Sequence, residues 1–243
     1  MNYTTLFQTV KNYCENEFPS TTFTGSDGTT TVTTLSNTQV NTFITQAETR
    51  IYNSINIPAL RRNVTGTLSI GNQYLSLPTD WLSAYSVAIY TTDYTTPFTY
   101  LLNKDVNFIR EAYPVPTQTG TPKYYALFGT QYNNANALSY ILGPTPDANY
   151  QVEMHYFYYP PSIVTAGESW LGDNYDPVLL YGALLEAAIY MKAETDIATM
   201  YKAKYDEAMQ ELRRLCDALE RGDSYRDGML KLNAAPKGGV VQL

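Results

Sequence analysis

A single histidine, His155, would have to serve any imidazole-based catalysis in this chain of 243 residues. It sits mid-strand between Met154 and Tyr156, and no GxSxG or comparable nucleophile turn occurs in the sequence. It therefore reads as a strand histidine on a half-polar face. Metal chemistry fares no better. One His and two distant Cys, Cys14 and Cys216, without CxxC spacing, supply no zinc pattern, and no Asp-rich loop has the spacing of a calcium hand. Both thiols fall within helical patterns and are expected to be buried. Gly238-Gly239 lacks the preceding strand and the Lys-Ser/Thr ending of a phosphate loop. The remaining candidates are carboxylates of the kind glycosidases pair: Asp80 beside Trp81, and Asp173 near Trp170. Asp80 follows Pro78-Thr79 in a turn and Asp173 precedes a capped helix, so each has a structural explanation. The reading is no enzyme, no cofactor and no metal; a glycosidase would require Asp80→Asn or Asp173→Asn to abolish an activity.

The elements that would carry these residues are legible from periodicity. Leu6, Val10, Tyr13 and Glu17, with Phe7 and Cys14, trace a helix over about 3–17 that Phe18-Pro19 ends. From Thr21 to Thr38, 11 of 18 residues are Ser or Thr, which predicts a loop or a weak hairpin. Ser36 then caps a second helix marked by Val40, Phe43, Ile44, Ala47, Ile51, Tyr52 and Ile55, stopped by Pro58. Between Val64 and Pro161 the period changes to two. A hairpin is expected over Thr67–Leu77 around Gly71-Asn72, with Leu68 and Ile70 on one side. Strands follow over 81–90, 124–128, 138–142 and 150–159, with a short helix over 105–112. The last strand has one polar face in its first half and is apolar on both faces in its second, so another element must cover that end.

Asp176 is placed to cap, and Pro177 to fill the first turn of, an almost wholly apolar helix. Val178, Leu179, Gly182, Leu185, Ile189 and Lys192 form one stripe, and Leu180, Leu184, Ala187, Ala188 and Met191 another, so more than one face is buried. Asp196 caps a longer helix carrying Tyr201, Tyr205, Leu212 and Leu219, which Gly222 closes. A one- or two-residue break makes the two helices an antiparallel pair. The predicted fold class is α+β: an antiparallel helical bundle from the N- and C-terminal helices, an inserted antiparallel β domain and an extended C-terminal arm. The expected boundaries are 1–62, 63–162, 163–222 and 223–243. Bundle packing falls to Trp170, Pro177, Leu180, Leu184, Ala188, Met191, Tyr201 and Tyr205. The arm carries Tyr225, Met229, Leu230, Leu232, Val240, Val241 and Leu243 as candidates for docking on a neighbour or partner.

Charged residues make up only 16% of the chain, against about a quarter in ordinary domains, while Tyr occurs 23 times. Tyr offers contact area at low entropic cost, which suits interfaces. The net charge of −7 opposes a clamp on phosphates but permits DNA to pass a neutral or acidic lumen without sticking. The basic pairs Arg61-Arg62 and Arg213-Arg214 are expected to be solvated or salt-bridged. No N-terminal stretch pairs a basic start with an apolar run, and none approaches the roughly 18 continuous apolar residues of a membrane span. The expectation is a soluble protein made in the cytoplasm, with no membrane partner.

Trp170-Leu171, then Tyr175-Asp176-Pro177, LLYGALLEAA and a helix beginning near YKAKYDEAMQEL resemble the C-terminal helix pair of head-to-tail adaptor (connector) proteins of short-tailed bacteriophages. LSLPTDWL at 75–82, TPKYYALFG at 121–129 and ILGPTPDANYQVEMHYFYYPP at 141–161 resemble that family's β-rich insertion, in the same order. The resemblance covers roughly 64–221, with 1–60 fitting more loosely. It implies a structural protein of the virion neck or tail, assembled in the host cytoplasm. In that family a homo-oligomeric ring of twelve copies sits beneath the portal protein, extends the DNA channel, and carries the tail tube or nozzle and sometimes tail fibres. The alternative is a Tyr-rich virion surface module that binds glycan or a receptor.

Overall fold

A computed structural model describes residues 1–24, 31–91, 97–131 and 134–224. The chain is mixed α+β and divides into two compact units, Met1–Ile51 with Trp170–Leu243, and Tyr52–Ser169.

Among the described residues, the first unit is helical apart from one small hairpin. Helix α1 (Tyr3–Cys14) is capped by Asn2, whose side chain accepts the Thr5 N–H at 2.9 Å. It closes on Glu15 in the left-handed region at φ 47°, three residues earlier than periodicity alone suggests. Strands β1 (Thr21–Thr24) and β2 (Thr31–Thr34) pair antiparallel and form a sheet of two. Helix α2 (Ser36–Ser54) follows and buries Val40, Phe43, Ile44, Ala47 and Ile51. After the second unit come the short α5 (Trp170–Asn174), then α6 (Asp176–Met191) and α7 (Thr195–Ser224).

Helix α6 begins differently from its sequence reading. The cap is Tyr175, without a side-chain hydrogen bond, and Asp176 falls in the first turn, 4.0 Å from the N-terminal ammonium. Its carboxylate still faces the positive end of the helix dipole, where an anion is favoured. Both expected stripes meet neighbours along Val178, Leu179, Leu180, Ala183, Leu184, Ala187 and Ala188, yet Ile189 is 62% exposed. Gly182 lies where α2, α6 and α7 converge. A Cβ there would sit 3.0 Å from Ala47 Cβ and 3.3 Å from the Tyr205 ring, so glycine permits the close approach. Phe18, Phe43 and Tyr190 form an aromatic cluster, with Phe43 and Tyr190 centroids 5.3 Å apart. Arg50 is ion-paired with Glu186. Asp196 likewise lies in the first turn of α7 and not at its cap, and Gly222 falls inside the helix, which runs to Ser224.

The second unit is built on two four-stranded sheets. One has the order β3-β12-β5-β6: β3 (Arg61–Leu68), β12 (Tyr150–Tyr158), β5 (Trp81–Thr91) and β6 (Thr99–Tyr100). The other has the order β4-β10-β9-β7: β4 (Tyr74–Ser76), β10 (Asn134–Gly143), β9 (Tyr124–Gln131) and β7 (Leu102–Asn103). Leu68, Val87, Ile89, Val152, Met154 and Tyr156 from the first sheet and Tyr125, Tyr140 and Leu142 from the second share one core. Helix α3 (Val106–Ala112), capped by Asp105, covers the second sheet through Ile109 on Ala126 and Ile141. Short α4 (Ile163–Ala166) ends the unit.

Two sequence expectations are corrected here. Residues 67–77 are not a hairpin: β3 pairs with β12 and β4 with β10, so the Gly71-Asn72 turn passes the chain from one sheet to the other. Gly71 does hold the positive φ, 78°. Because the chain changes sheet there, Leu68 is 2% exposed and Ile70 60%, on different environments instead of one side. The β domain is also not purely antiparallel. β7 pairs parallel with β9, and β8 (Thr119–Gly120) pairs parallel with β11 (Thr145–Pro146). Residues 104–123, including α3, supply the crossover that parallel strands need.

Candidate interaction surface

The residues that could do chemistry are engaged in structure. Asp80 accepts from Arg62 Nη1 at 2.7 Å on one carboxylate oxygen and from Tyr156 Oη at 3.0 Å on the other. Its backbone carbonyl accepts the Tyr159 N–H at 2.8 Å. Asp80 thus pins a strand start to the end of β12. Asp173 lies exposed in α5, in the other unit. His155 Nε2 lies 3.1 Å from Glu153 Oε1, which also accepts from Asn63 Nδ2 at 2.7 Å. These three residues lie on the polar face of the sheet, next to one another in register. Cys216 is buried, whereas Cys14 is half-buried and not fully enclosed. Burial pushes each thiol up to about 11, with Asp217 and Glu220 adding to the shift at Cys216. Both are therefore protonated and poorly nucleophilic at neutral pH. Among the described residues, no His, Cys, Asp and Glu cluster could hold a metal ion, and no helix is long and apolar enough to cross a membrane.

Arg61 has a role that sequence reading assigned to solvent. In the β12–β5 register, His155 faces Ser86 and Tyr156 faces Ala84, so Tyr85 is the extra residue of a bulge. Its ring meets Phe157 edge to face at 6.3 Å. The Arg61 guanidinium lies 4.0 Å from the Tyr85 centroid and 5.1 Å from that of Phe157. The second apolar face of β12 is thereby covered by an arginine and a tyrosine from its two flanking strands. Arg62 stacks on Tyr158 at 3.8 Å while it pairs with Asp80. Arg213 and Arg214 are exposed, as expected.

Surfaces for contact remain. In the helical unit, the left-handed cap at Lys192, φ 53°, turns α6 into α7. Around it Ile189, Tyr190, Ile197 and Met200 are all exposed. Tyr175 Oη is 2.5 Å from Glu211 Oε2, which brings the start of α6 alongside residue 211, so α7 continues well past the end of its shorter neighbour. Burial first, then the Glu211 hydrogen bond, raises the Tyr175 phenol and keeps it a donor. Leu215 and Leu219 are exposed on that continuation. In the β unit the exposed apolar residues include Tyr100, Leu102, Phe108, Leu127 and Phe128, with others such as Ile70, Tyr85 and Val115 scattered elsewhere in its sequence. Leu127 and Phe128 are adjacent on β9 where its register with β10 shifts: Ser139 faces Gly129 and Tyr140 faces Leu127, so Phe128 is the extra residue of a bulge.

Of the packing residues expected from sequence, Leu180, Leu184, Ala188, Tyr201 and Tyr205 are buried, and Trp170, Pro177 and Met191 are half-buried. Asn16 Nδ2 lies 3.6 Å from the Met191 sulfur. The arm residues Tyr225, Met229, Leu230, Leu232, Val240, Val241 and Leu243 lie outside the described residues. Sequence reasoning passed over Tyr85, and expected Arg61 to be solvated or salt-bridged instead of stacked on aromatic rings. Their only local signal is an aromatic at each of 85 and 157, and a bulge cannot be read from alternation.

No curated protein matches the chain. The family model described as SU10 adaptor protein matches residues 1–229, in agreement with the resemblance carried by the helix pair and the β-rich segments. Matched over residues 1–229, this chain belongs to the SU10 adaptor protein family, a phage structural family.

Proposed function

We propose that the protein is the head-to-tail adaptor of a short-tailed phage virion, a ring of twelve copies that joins the portal protein to the tail tube and prolongs the DNA channel. The family match over residues 1–229 carries this reading. In such a ring adjacent copies stand about 30° apart and meet through two different faces. The exposed apolar residues of the α6–α7 turn and of β9 support it, because each is suited to a neighbour and none to a substrate. The net charge of −7 suits a lumen that lets DNA slide without phosphate clamping. The arm over 223–243, with Met229, Leu230, Leu232, Val240, Val241 and Leu243, locks the subunit to the portal or to a neighbour.

Mass photometry of the purified chain, alone and mixed with portal rings of its own phage, tests the reading. The expected species carries twelve copies of the 27.3 kDa subunit on the portal. A monomer that ignores the portal and binds polysaccharide would replace the adaptor with the surface-recognition alternative. Deletion of residues 224–243 is expected to abolish portal attachment while leaving the melting temperature of the free subunit unchanged. Attachment at full strength without those residues would refute the role of the arm.

A further inference from the structure

Strand β3 is an outer strand of its sheet, and β12 is its only pairing partner in the order β3-β12-β5-β6. The eight residues run in unbroken register with β12, from Arg61 opposite Phe157 to Leu68 opposite Tyr150. An outer strand leaves alternate N–H and C=O groups pointing away from its sheet, a template for another strand. Natural edges are normally guarded by Lys, Pro, a bulge or an inward charge. After Arg62, the run Asn63-Val64-Thr65-Gly66-Thr67-Leu68 contains none of these. The bulge in this sheet lies on the other side of β12, in β5. At the middle of β3, a Cβ on Gly66 would meet nothing within 4 Å, so no side chain stands over that point of the strand's face.

The same chain holds a strand pair without a sheet to join. Hairpin β1–β2 consists of TTFT against TVTT, uncharged and four residues long on each side, and its sheet has two strands. A lone two-stranded ribbon is marginal in water, and a third strand is what makes such a unit stable. An uncharged, Thr-rich ribbon is a good donor for strand addition, where main-chain hydrogen bonds supply affinity and side chains need only avoid a clash.

We propose that β3 accepts the β1–β2 hairpin of an adjacent copy, so that the four-stranded sheet continues across the subunit boundary. This inference rests on the ring reading above. The occupant is a second copy because donor and acceptor are different surfaces of one chain. Each subunit then gives one hairpin and receives one, and the contact repeats around a closed ring with no orphan at any junction.

Hydrogen exchange read by mass spectrometry tests it on the full chain, as free subunit and as the ring assembled on portal. The expected result is that assembly slows exchange in 61–68 and in 21–34 together, by about tenfold or more at the affected amides. Assembly with both segments exchanging as in the free subunit overturns this inference and leaves the ring standing; no assembly at all overturns both. Protection, already in the free subunit, of the β3 amides that point away from β12 also overturns it, because the added pairing would then lie within one copy. As a second measurement, a short Gly-Ser linker replaces residues 21–34. The free variant is expected to keep its melting temperature, and its rings to need at least about tenfold more protein to form. Rings of unchanged stability would refute the donor role of the hairpin.

Discussion

Arg61 and Gly182 show how much a single side chain, or its absence, decides here. Arg61 lies over the half-exposed Tyr85 ring and beside the buried Phe157 ring, so its loss removes stacking and packing together. Arg61→Ala is expected to lower unfolding stability by about 1–2 kcal/mol, and Arg61→Lys to recover only part, since an ammonium lacks the flat face that lies on Tyr85. Urea titration of the three proteins measures both, and equal midpoints would refute the stack. At Gly182 a larger side chain must push on Ala47, a helix-bound methyl that cannot rotate away. Gly182→Val should cost about 1–3 kcal/mol by overpacking, despite the poor helix propensity of glycine. Both residues were visible in the sequence, and neither role was. The arginine pair read as solvated or salt-bridged, which holds for Arg62 on Asp80, but the rings under Arg61 lie on strands distant in sequence and left no sign of the stack. The glycine read as one position in an apolar stripe because its neighbours come from two other helices.

Elements were legible where one period persisted and misread where the chain changed partner. Helices α2, α6 and α7 and strand β12 stood close to where Phe43, Leu184, Leu212 and Val152 placed them, since burial on a fixed face imposes a repeat on the sequence. The turn at Gly71-Asn72 carried a true signal for positive φ but none for which sheet each arm would join. The two-residue parallel pairings were beyond reach for the same reason: β7 and β8 are too short to show any period. The ends of the helices offer a direct test of local backbone preference. Lys192 closes α6 in the left-handed region, which costs a residue with a Cβ and suits glycine. Lys192→Gly is expected to stabilise the free subunit by about 0.5–1 kcal/mol, seen as a higher melting temperature. A lower one would mean that the lysine side chain contributes more than its backbone conformation costs.

At the scale of the whole molecule, proton linkage sets an alkaline limit. Cys14 and Cys216 hold their protons up to about 11, against 9.0 for a free thiol, and burial also raises Tyr125, Tyr140, Tyr201 and Tyr205. Groups raised in the folded state contribute stability that is complete below their unfolded values and fades as pH climbs through their folded ones. Melting temperature should thus stay level from pH 7 to near 9 and fall steadily toward 11, the sign opposite to acid unfolding. A flat profile to pH 11 would mean that those groups are hydrated. The adaptor family could be reached from sequence because helix pair and β segments occur in a fixed order. The open edge of β3 could not, because an edge is defined by what is missing beside it.

The length mismatch between α6 and α7 has a geometric consequence. Beyond residue 211 the longer helix behaves as a screw thread, on which every residue advances about 1.5 Å and turns about 100°. Excising two residues from 213–220 would therefore swing the point where residue 225 departs to nearly the opposite compass bearing, with only about 3 Å of shortening. Excising seven would restore the bearing to within about 20° while retracting it by about 10 Å. Angle and reach at this outlet are thus separately adjustable: a two-residue change within 217–220 turns the bearing and leaves the buried Cys216 in place, whereas the seven-residue change removes it.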